Sequence, residues 1–299
     1  MVSIMNKQGL FWGFISYVLW GFFPIYWKQF SERAATEVLA HRMLWSFVFY
    51  VIIALFFSQN IKTLFQHSKR DWLLSTLSSV LLTINWGVYI YAVNTGHILE
   101  GSLAYFINPI LNVAVGVIFF KEDFPAILKL AVGAAMVGVL SRIWLAPQFP
   151  WLSLILASTF CLYGITKKLL KIPVMNSSVL EGSVGIIPAI LGVIYFLQQN
   201  NVPAPSAHLW VLFIAGGVVT GLPLFLFSFA AQKIPYSVMG VLQFIAPSLQ
   251  FLVGVLMYNE AFGKNDLIAF GFIWAGMGFY LTHQLVKFKT QLQQSKIAN

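Results

Sequence analysis

Ten stretches of about 20 predominantly apolar residues dominate the chain, each long enough for an α-helix to cross a hydrocarbon layer about 30 Å thick. They run approximately over 9–28, 38–58, 72–94, 100–120, 126–144, 150–169, 178–198, 208–231, 236–258 and 265–285. The two tightest breaks carry turn residues, Gly96 and His97 in one and Lys233 and Pro235 in the other. Continuous apolarity, without the period-two alternation of a barrel strand, disfavours a transmembrane β-barrel. Water solubility is excluded by the charge content. Only 9% of the 299 residues are charged, against roughly 25% in an ordinary globular domain. The expectation is an all-α integral membrane protein with ten transmembrane helices. The first stretch, Gly9 to Trp27, is long and aromatic and lacks a small-x-small cleavage site, so it is expected to stay as a helix. A single cysteine, Cys161, rules out an internal disulfide and a CxxC metal knuckle.

The net charge of +9 raises the question of an anionic partner such as nucleic acid, and the positions of the charges answer it. With the N-terminus in the cytoplasm, the cytoplasmic segments collect Lys7, Lys62, Lys69, Arg70, Lys121, Lys129, Lys167, Lys168, Lys171, Lys233, Lys287, Lys289 and Lys296. The outer segments hold Lys28, Arg33, Arg42, Arg142 and Lys264. Thirteen against five satisfies the positive-inside rule with both termini cytoplasmic. The excess records topology, and the lipid bilayer rather than nucleic acid is the expected partner of the basic tail.

A shift of 138 residues lays the fourth and fifth stretches on the ninth and tenth. Phe106-Ile107-Asn108-Pro109 then meets Phe244-Ile245-Ala246-Pro247, Val115-Gly116-Val117 meets Val253-Gly254-Val255, and Glu122 meets Glu260. Between 98 and 141 the ungapped register gives 12 identities in 44 positions. A looser pair, Trp20-Gly21 with Tyr163-Gly164, needs an offset of 143. Two repeats follow, 1–145 and 146–299, the second ending in a short basic tail. Each holds five helices, and an odd number forces the second to enter the membrane from the opposite side. Inverted repeats of this kind mark secondary transporters, whose halves exchange conformations around a midplane site.

Site candidates are the polar residues near that midplane. Pro109 and Pro247 sit mid-stretch in matching helices and each removes a backbone hydrogen bond, which predicts paired kinks. Asn108 and Asn112 share a face at i, i+4, and Gln243 and Gln250 share a face seven residues apart. These amides either bond across helices or line a pocket. Asn85, Trp86 and Tyr89 give the third stretch a polar-aromatic face that suits a substrate with an apolar body and a few polar groups. Ser16, Trp20 and Phe23 form a stripe on the first. Charge near the membrane is costly. His41 and Glu100 are therefore the candidates for proton coupling, and Arg42 is either a gating residue or an interface anchor. Competing classes lack their signatures: there is no Walker A motif, no HExxH, no GxSxG and no ligand-spaced histidine cluster, so neither cofactor nor metal is expected. Nothing resembles a channel's selectivity filter. A monomer and a homodimer are both compatible with the small residues Gly133, Ala134 and Gly138.

Several segments together carry a resemblance. They are Trp20-Gly21-Phe22-Phe23-Pro24-Ile25-Tyr26-Trp27-Lys28, Leu39-Ala40-His41-Arg42, Asn85-Trp86, Leu99-Glu100-Gly101-Ser102-Leu103 running on to Pro109, Gly221-Leu222-Pro223-Leu224, and Leu242-Gln243-Phe244-Ile245-Ala246-Pro247-Ser248-Leu249-Gln250. With these the chain resembles the RarD-type branch of the drug/metabolite transporter superfamily, the EamA transporters, over nearly its whole length. The resemblance implies a five-plus-five inverted repeat, a bacterial plasma-membrane location, and a central cavity lined mainly by helices one, three, four, six, eight and nine. Carried over by position, the cavity candidates are Trp20, Asn85, Trp86, Tyr89, Tyr105, Asn108, Asn112, Tyr163, Gln243 and Gln250. The implied activity is secondary transport of a small amphipathic metabolite or drug-like compound, not enzymatic turnover.

Overall fold

The computed structural model describes residues 6–57, 61–94, 98–144, 149–199 and 203–258, and nine positions between 267 and 282. Eleven α-helices have their bounds within the first five segments. They are α1 (Lys7–Gly21), α2 (Phe23–Trp27), α3 (Ala35–Phe57), α4 (Lys69–Asn94), α5 (Ile98–Ile118), α6 (Ala126–Trp144), α7 (Trp151–Leu169), α8 (Val174–Leu197), α9 (Ala207–Lys233), α10 (Tyr236–Gln243) and α11 (Ile245–Tyr258). The described positions between 267 and 282 are helical as well. No strand occurs among the described residues.

Local chemistry sets the helix starts. The Asn6 side chain accepts from the Gly9 amide at 3.0 Å and the Ser206 hydroxyl from the Leu209 amide at 3.2 Å, each taking one of the donors a helix N-terminus leaves over. Ser68 and Asp71 form a reciprocal pair at the head of α4, with the Asp71 amide reaching Ser68 Oγ at 3.2 Å and Ser68 Oγ donating to the carboxylate. Pro150, Pro173 and Pro235 precede α7, α8 and α10. Each is placed where its missing N–H costs nothing.

Proline also marks two interruptions. The first apolar stretch is broken at Phe22, two residues before Pro24, and the ninth at Phe244, three residues before Pro247. In each case proline has no N–H for the carbonyl four residues back, that of Trp20 or Gln243. Helix α5, by contrast, runs unbroken through Pro109. There α10 lies close against it, with a Cβ on Gly240 falling 2.6 Å from the Pro109 carbonyl oxygen.

Six helical segments are long and apolar enough to span a membrane: Lys7–Phe30, Ala35–Phe57, Trp151–Leu169, Val174–Leu197, Ala207–Lys233 and Tyr236–Tyr258. Ala104–Ile118 and Lys129–Leu140 are shorter apolar helices. Their outward faces carry bare hydrocarbon, with Phe56 85% and Leu256 74% exposed, which water would not tolerate but lipid does. The interior holds small polar side chains instead, Ser16, Ser78, Thr166 and Thr220 among them. Helix α3 packs on α8 and α9, α1 on α9 and α11, α4 on α7 and α8, and α5 on α7 and α10.

Hydrogen bonds and close approaches join these pairs, as expected where lipid removes the hydrophobic drive between helices. Ser16 donates to the Pro223 carbonyl at 2.9 Å and Tyr50 to that of Gly221 at 3.1 Å. At Gly217 a Cβ would stand 2.3 Å from the Trp45 carbonyl oxygen, so α3 and α9 touch backbone to backbone. Helices α1 and α9 are antiparallel: Gly9 lies against Lys233 and Ile234 at one end, and the Tyr26 hydroxyl, just beyond α1, bonds the Leu212 carbonyl at the other. These two ends define the faces of the molecule.

Candidate functional site

A cavity of about 590 Å³ occupies the centre of the bundle. Its rim includes the exposed Ser31, Ala34 and Thr36 in the connection between α2 and α3, so it reaches the surface at the Tyr26 end. Its walls come from both halves of the chain. Tyr105 and Gln243, which match under the 138-residue shift, both line it, as do Asn108 and Ala246. Tyr17 and Phe160, which match under the looser shift of 143, do the same.

Of the residues singled out from sequence, Trp20, Asn85, Trp86, Tyr89, Tyr105, Asn108, Gln243 and Gln250 line this cavity, with Pro247 and Arg42. The amides bond across helices and face the cavity at once, so the two readings of them are not exclusive. Asn85 Nδ2 donates to the Leu156 carbonyl at 2.7 Å and to Thr159 Oγ1 at 2.9 Å. Gln250 Nε2 donates at 3.0 Å to the Trp20 carbonyl, which Pro24 leaves without its usual helical donor. Asn112 lies behind the wall, fully buried, and donates to Asn108 Oδ1 at 3.1 Å and to Gln243 Oε1. Asn108 in turn donates to the Ala157 carbonyl. This chain of amides ties α5, α7 and α10 into one rigid surface.

Other residues fall elsewhere. Tyr163 is fully buried outside the cavity lining, stacked on Phe227 with ring centroids 5.8 Å apart. Pro109 is not among the lining residues. His41 faces away from the cavity, stacked on Phe213 at 3.8 Å, and neither ring nitrogen has a hydrogen-bond partner. The side chain of Glu100 lies outside the described residues.

The setting of Arg42 is visible only in the fold. Its guanidinium carbon sits 4.3 Å from the Trp27 ring and 4.5 Å from the Trp86 ring, and its Nε donates to Thr220 Oγ1 at 3.2 Å. Trp27 was within reach, since it continues the stripe of Trp20 and Phe23 by one more turn. Thr220 carried no signal, because its partner is 178 residues away.

At the opposite end of the bundle the described residues close α5 and α7 onto α10. The Glu122 carboxylate accepts from the Tyr236 amide at 2.6 Å and the Ser237 amide at 2.8 Å, capping the start of α10. Lys168 Nζ stands 3.6 Å from the same carboxylate and donates to the Ile234 carbonyl at 2.8 Å. Tyr236 OH donates to the Cys161 carbonyl at 2.7 Å. One helix away, the buried Lys167 and Glu181 pair at 2.6 Å, joining α7 to α8. Among the described residues no three His, Cys, Asp or Glu side chains come together as a metal site.

Comparison with known proteins agrees with this architecture. The model of the EamA-like transporter family matches residues 7–143. An uncharacterized transporter, YojE of Bacillus subtilis, is 39% identical over 292 residues, covering 95% of this chain and 96% of its own. The chain belongs to the EamA-like transporter family. Within the family its relatives include RarD proteins. That of Escherichia coli is 34% identical over 99% of this chain and 100% of its own, and that of Streptomyces exfoliatus 37% identical over 91% and 87%. A solved structure with 16% identity superposes with a TM-score of 0.72 over 92% of this chain and 97% of its own, which shows a shared fold and nothing further. The chain is thus a transporter-type, multi-pass protein of the bacterial inner membrane, all-helical where it is described.

Proposed function

We propose that the chain is a secondary transporter carrying a small amphipathic metabolite or drug-like compound, amino-acid-like molecules included, by alternating access around the central cavity. In this reading ten helices form two inverted five-helix repeats with both termini cytoplasmic. The cavity then opens outward and the Glu122–Lys168 seal lies on the cytoplasmic side. The observation that carries the reading is the cavity itself. Among the described residues it reaches the surface at the Ser31 and Thr36 face, and matched residues of the two halves line it, Tyr105 with Gln243 and Asn108 with Ala246. The helix contacts support it as well, since moving each by five spans gives another. The packing of α1 on α9 becomes that of α7 on α4, and α5 on α7 becomes the ninth span on α1. Such a pseudo-two-fold lets the halves exchange shapes and move the opening from one face to the other.

The direction is export or exchange. Asn85, Asn108, Gln243 and Gln250 supply hydrogen bonds, and Trp20, Trp86, Tyr89 and Tyr105 hold the apolar part. His41 and Glu100 are the proposed proton-coupling groups. The cavity lies within one chain, so a monomer suffices for transport, whether or not the chain also dimerises.

Metabolite profiling of a deletion strain and an overexpressing strain, followed by uptake of the altered compounds into proteoliposomes, tests this. Saturable, gradient-driven uptake with counterflow is expected. Ion currents far above carrier turnover, or consumption of the compound without a gradient, would replace the reading with a channel or an enzyme.

A further inference from the structure

The cavity holds a charge imbalance. Two arginines and no carboxylate are among its lining residues. Arg33, at the mouth, is already engaged, since it pairs with the buried Glu37 and donates to the Pro203 carbonyl at 2.7 Å. Among the described residues the hydrogen-bond partner of Arg42 is Thr220, reached through Nε, and no carboxylate pairs with it. Its two terminal nitrogens have no hydrogen-bond partner among the described residues, and Arg42 is one of the cavity's lining residues.

A guanidinium is poorly placed in a membrane interior unless something compensates it. Trp27 and Trp86 do so in part, their rings lying 4.3 and 4.5 Å from the guanidinium carbon. These contacts and the Thr220 hydrogen bond hold the guanidinium at the cavity wall, with its terminal N–H donors unclaimed among the described residues. A planar fork of that kind matches a carboxylate through two parallel hydrogen bonds. The remaining wall is apolar and aromatic, from Trp20, Tyr89, Phe160 and Leu224, and the volume of about 590 Å³ is that of a small-molecule site.

From these observations we infer that the substrate carries a single carboxylate on an apolar body, and that Arg42 is the residue that binds this carboxylate. This deepens the transporter reading and rests on it. One uncompensated positive charge calls for one negative charge, so a doubly charged phosphate ester is a worse match than a monocarboxylate. Cationic compounds are excluded by the same charge. A zwitterion qualifies through its carboxylate.

The test works on a mixture, with no single substrate chosen in advance. Proteoliposomes holding the full chain are incubated with a small-molecule extract of bacterial cells, and retained compounds are identified by mass spectrometry. A second portion of the extract is first treated with carbodiimide and methylamine, which turns carboxylates into neutral amides. The compounds retained above protein-free liposomes are expected to be carboxylates, and their retention to vanish after amidation. Arg42→Gln is expected to lower it by about 30-fold or more, with Arg42→Lys in between because it keeps the charge and loses the fork. Maleimide labelling of a cysteine at Leu39, in a Cys161→Ser background, reports whether each variant keeps the cavity.

Retention of compounds that carry no carboxylate, or retention that survives amidation, overturns the assignment while leaving the transporter reading intact. Wild-type retention of nothing above protein-free liposomes defeats the transporter reading and the assignment together. The comparison of native with amidated extract is made on the wild type, so it stands even if the Arg42 variants misfold.

Discussion

Replacing Glu122 with glutamine tests the seal at the end of the bundle remote from the cavity mouth. The carboxylate accepts two backbone N–H groups, from Tyr236 at 2.6 Å and Ser237 at 2.8 Å. Glutamine keeps one accepting oxygen and puts an NH₂ where the other was, so one amide at the start of α10 loses its partner and faces a donor. A hydrogen bond to a charged group contributes about 1.5–3 kcal/mol. The Glu122 side chain is only 13% exposed, so little of that is lost to solvent screening. Lys168, at 3.6 Å and 19% exposed, adds under about 1 kcal/mol. The population opened at this end should therefore rise about 10- to 150-fold.

The chain carries its own reporter of that opening. Cys161 is its single cysteine, 4% exposed, and its carbonyl accepts from Tyr236 OH directly beneath the seal. Labelling of Cys161 by a membrane-impermeant maleimide, applied from the Glu122 face, should accelerate by about the same factor. Labelling from the opposite face should not accelerate. An unchanged rate in a variant that retains its melting temperature would refute the role of the carboxylate in closing this end.

Further outcomes are expected from single sites. Removing one member of the buried Lys167–Glu181 pair should cost about 3–5 kcal/mol, while Lys167→Met with Glu181→Gln should cost much less than the two single changes added together; denaturation of the purified protein in detergent reads this. Gly217→Ala should destabilise by about 1–3 kcal/mol, since its Cβ would meet the Trp45 carbonyl oxygen at 2.3 Å, and a melting curve unchanged from wild type would show that α3 and α9 are not held so close. Asn112→Leu should lower stability by roughly 0.6–1.7 kcal/mol by cutting the amide chain between α5 and α10, without touching the cavity surface itself. If His41 couples transport to protons, His41→Gln should flatten the pH dependence of uptake, and a pH profile identical to wild type removes it.

What could be read from sequence followed from short-range chemistry. Apolar length placed the helices, because the bilayer fixes that length, and six of the stretches are long and apolar enough in the structure by that criterion. The prolines at 24 and 247 lie just after real interruptions, for the local reason that proline cannot donate a hydrogen bond. At Pro109 the helix continues through the missing bond, with α10 packed against it. The amide-rich faces of the fourth and ninth stretches were legible as polar, but their partners were not. Asn108 finds the Ala157 carbonyl, 49 residues on, and Gln250 the Trp20 carbonyl, 230 residues away. Arg42 illustrates the limit most clearly. Its place near the start of a helix gave no means of choosing between an interface anchor and a gating residue, and only the fold brings Trp27, Trp86 and Thr220 around it.

The central claim, that one cavity between the two halves is exposed to each face in turn, is tested most directly by cysteines at Asn85, Asn108 and Gln243. Each is introduced singly into a Cys161→Ser background and probed with water-soluble thiol reagents from either face of sealed vesicles. All three are expected to react from the face of Ser31 and Thr36, and in Glu122→Gln to gain reactivity from the opposite face at the expense of the first. Cysteines unreactive from both faces would contradict the cavity as the transport site.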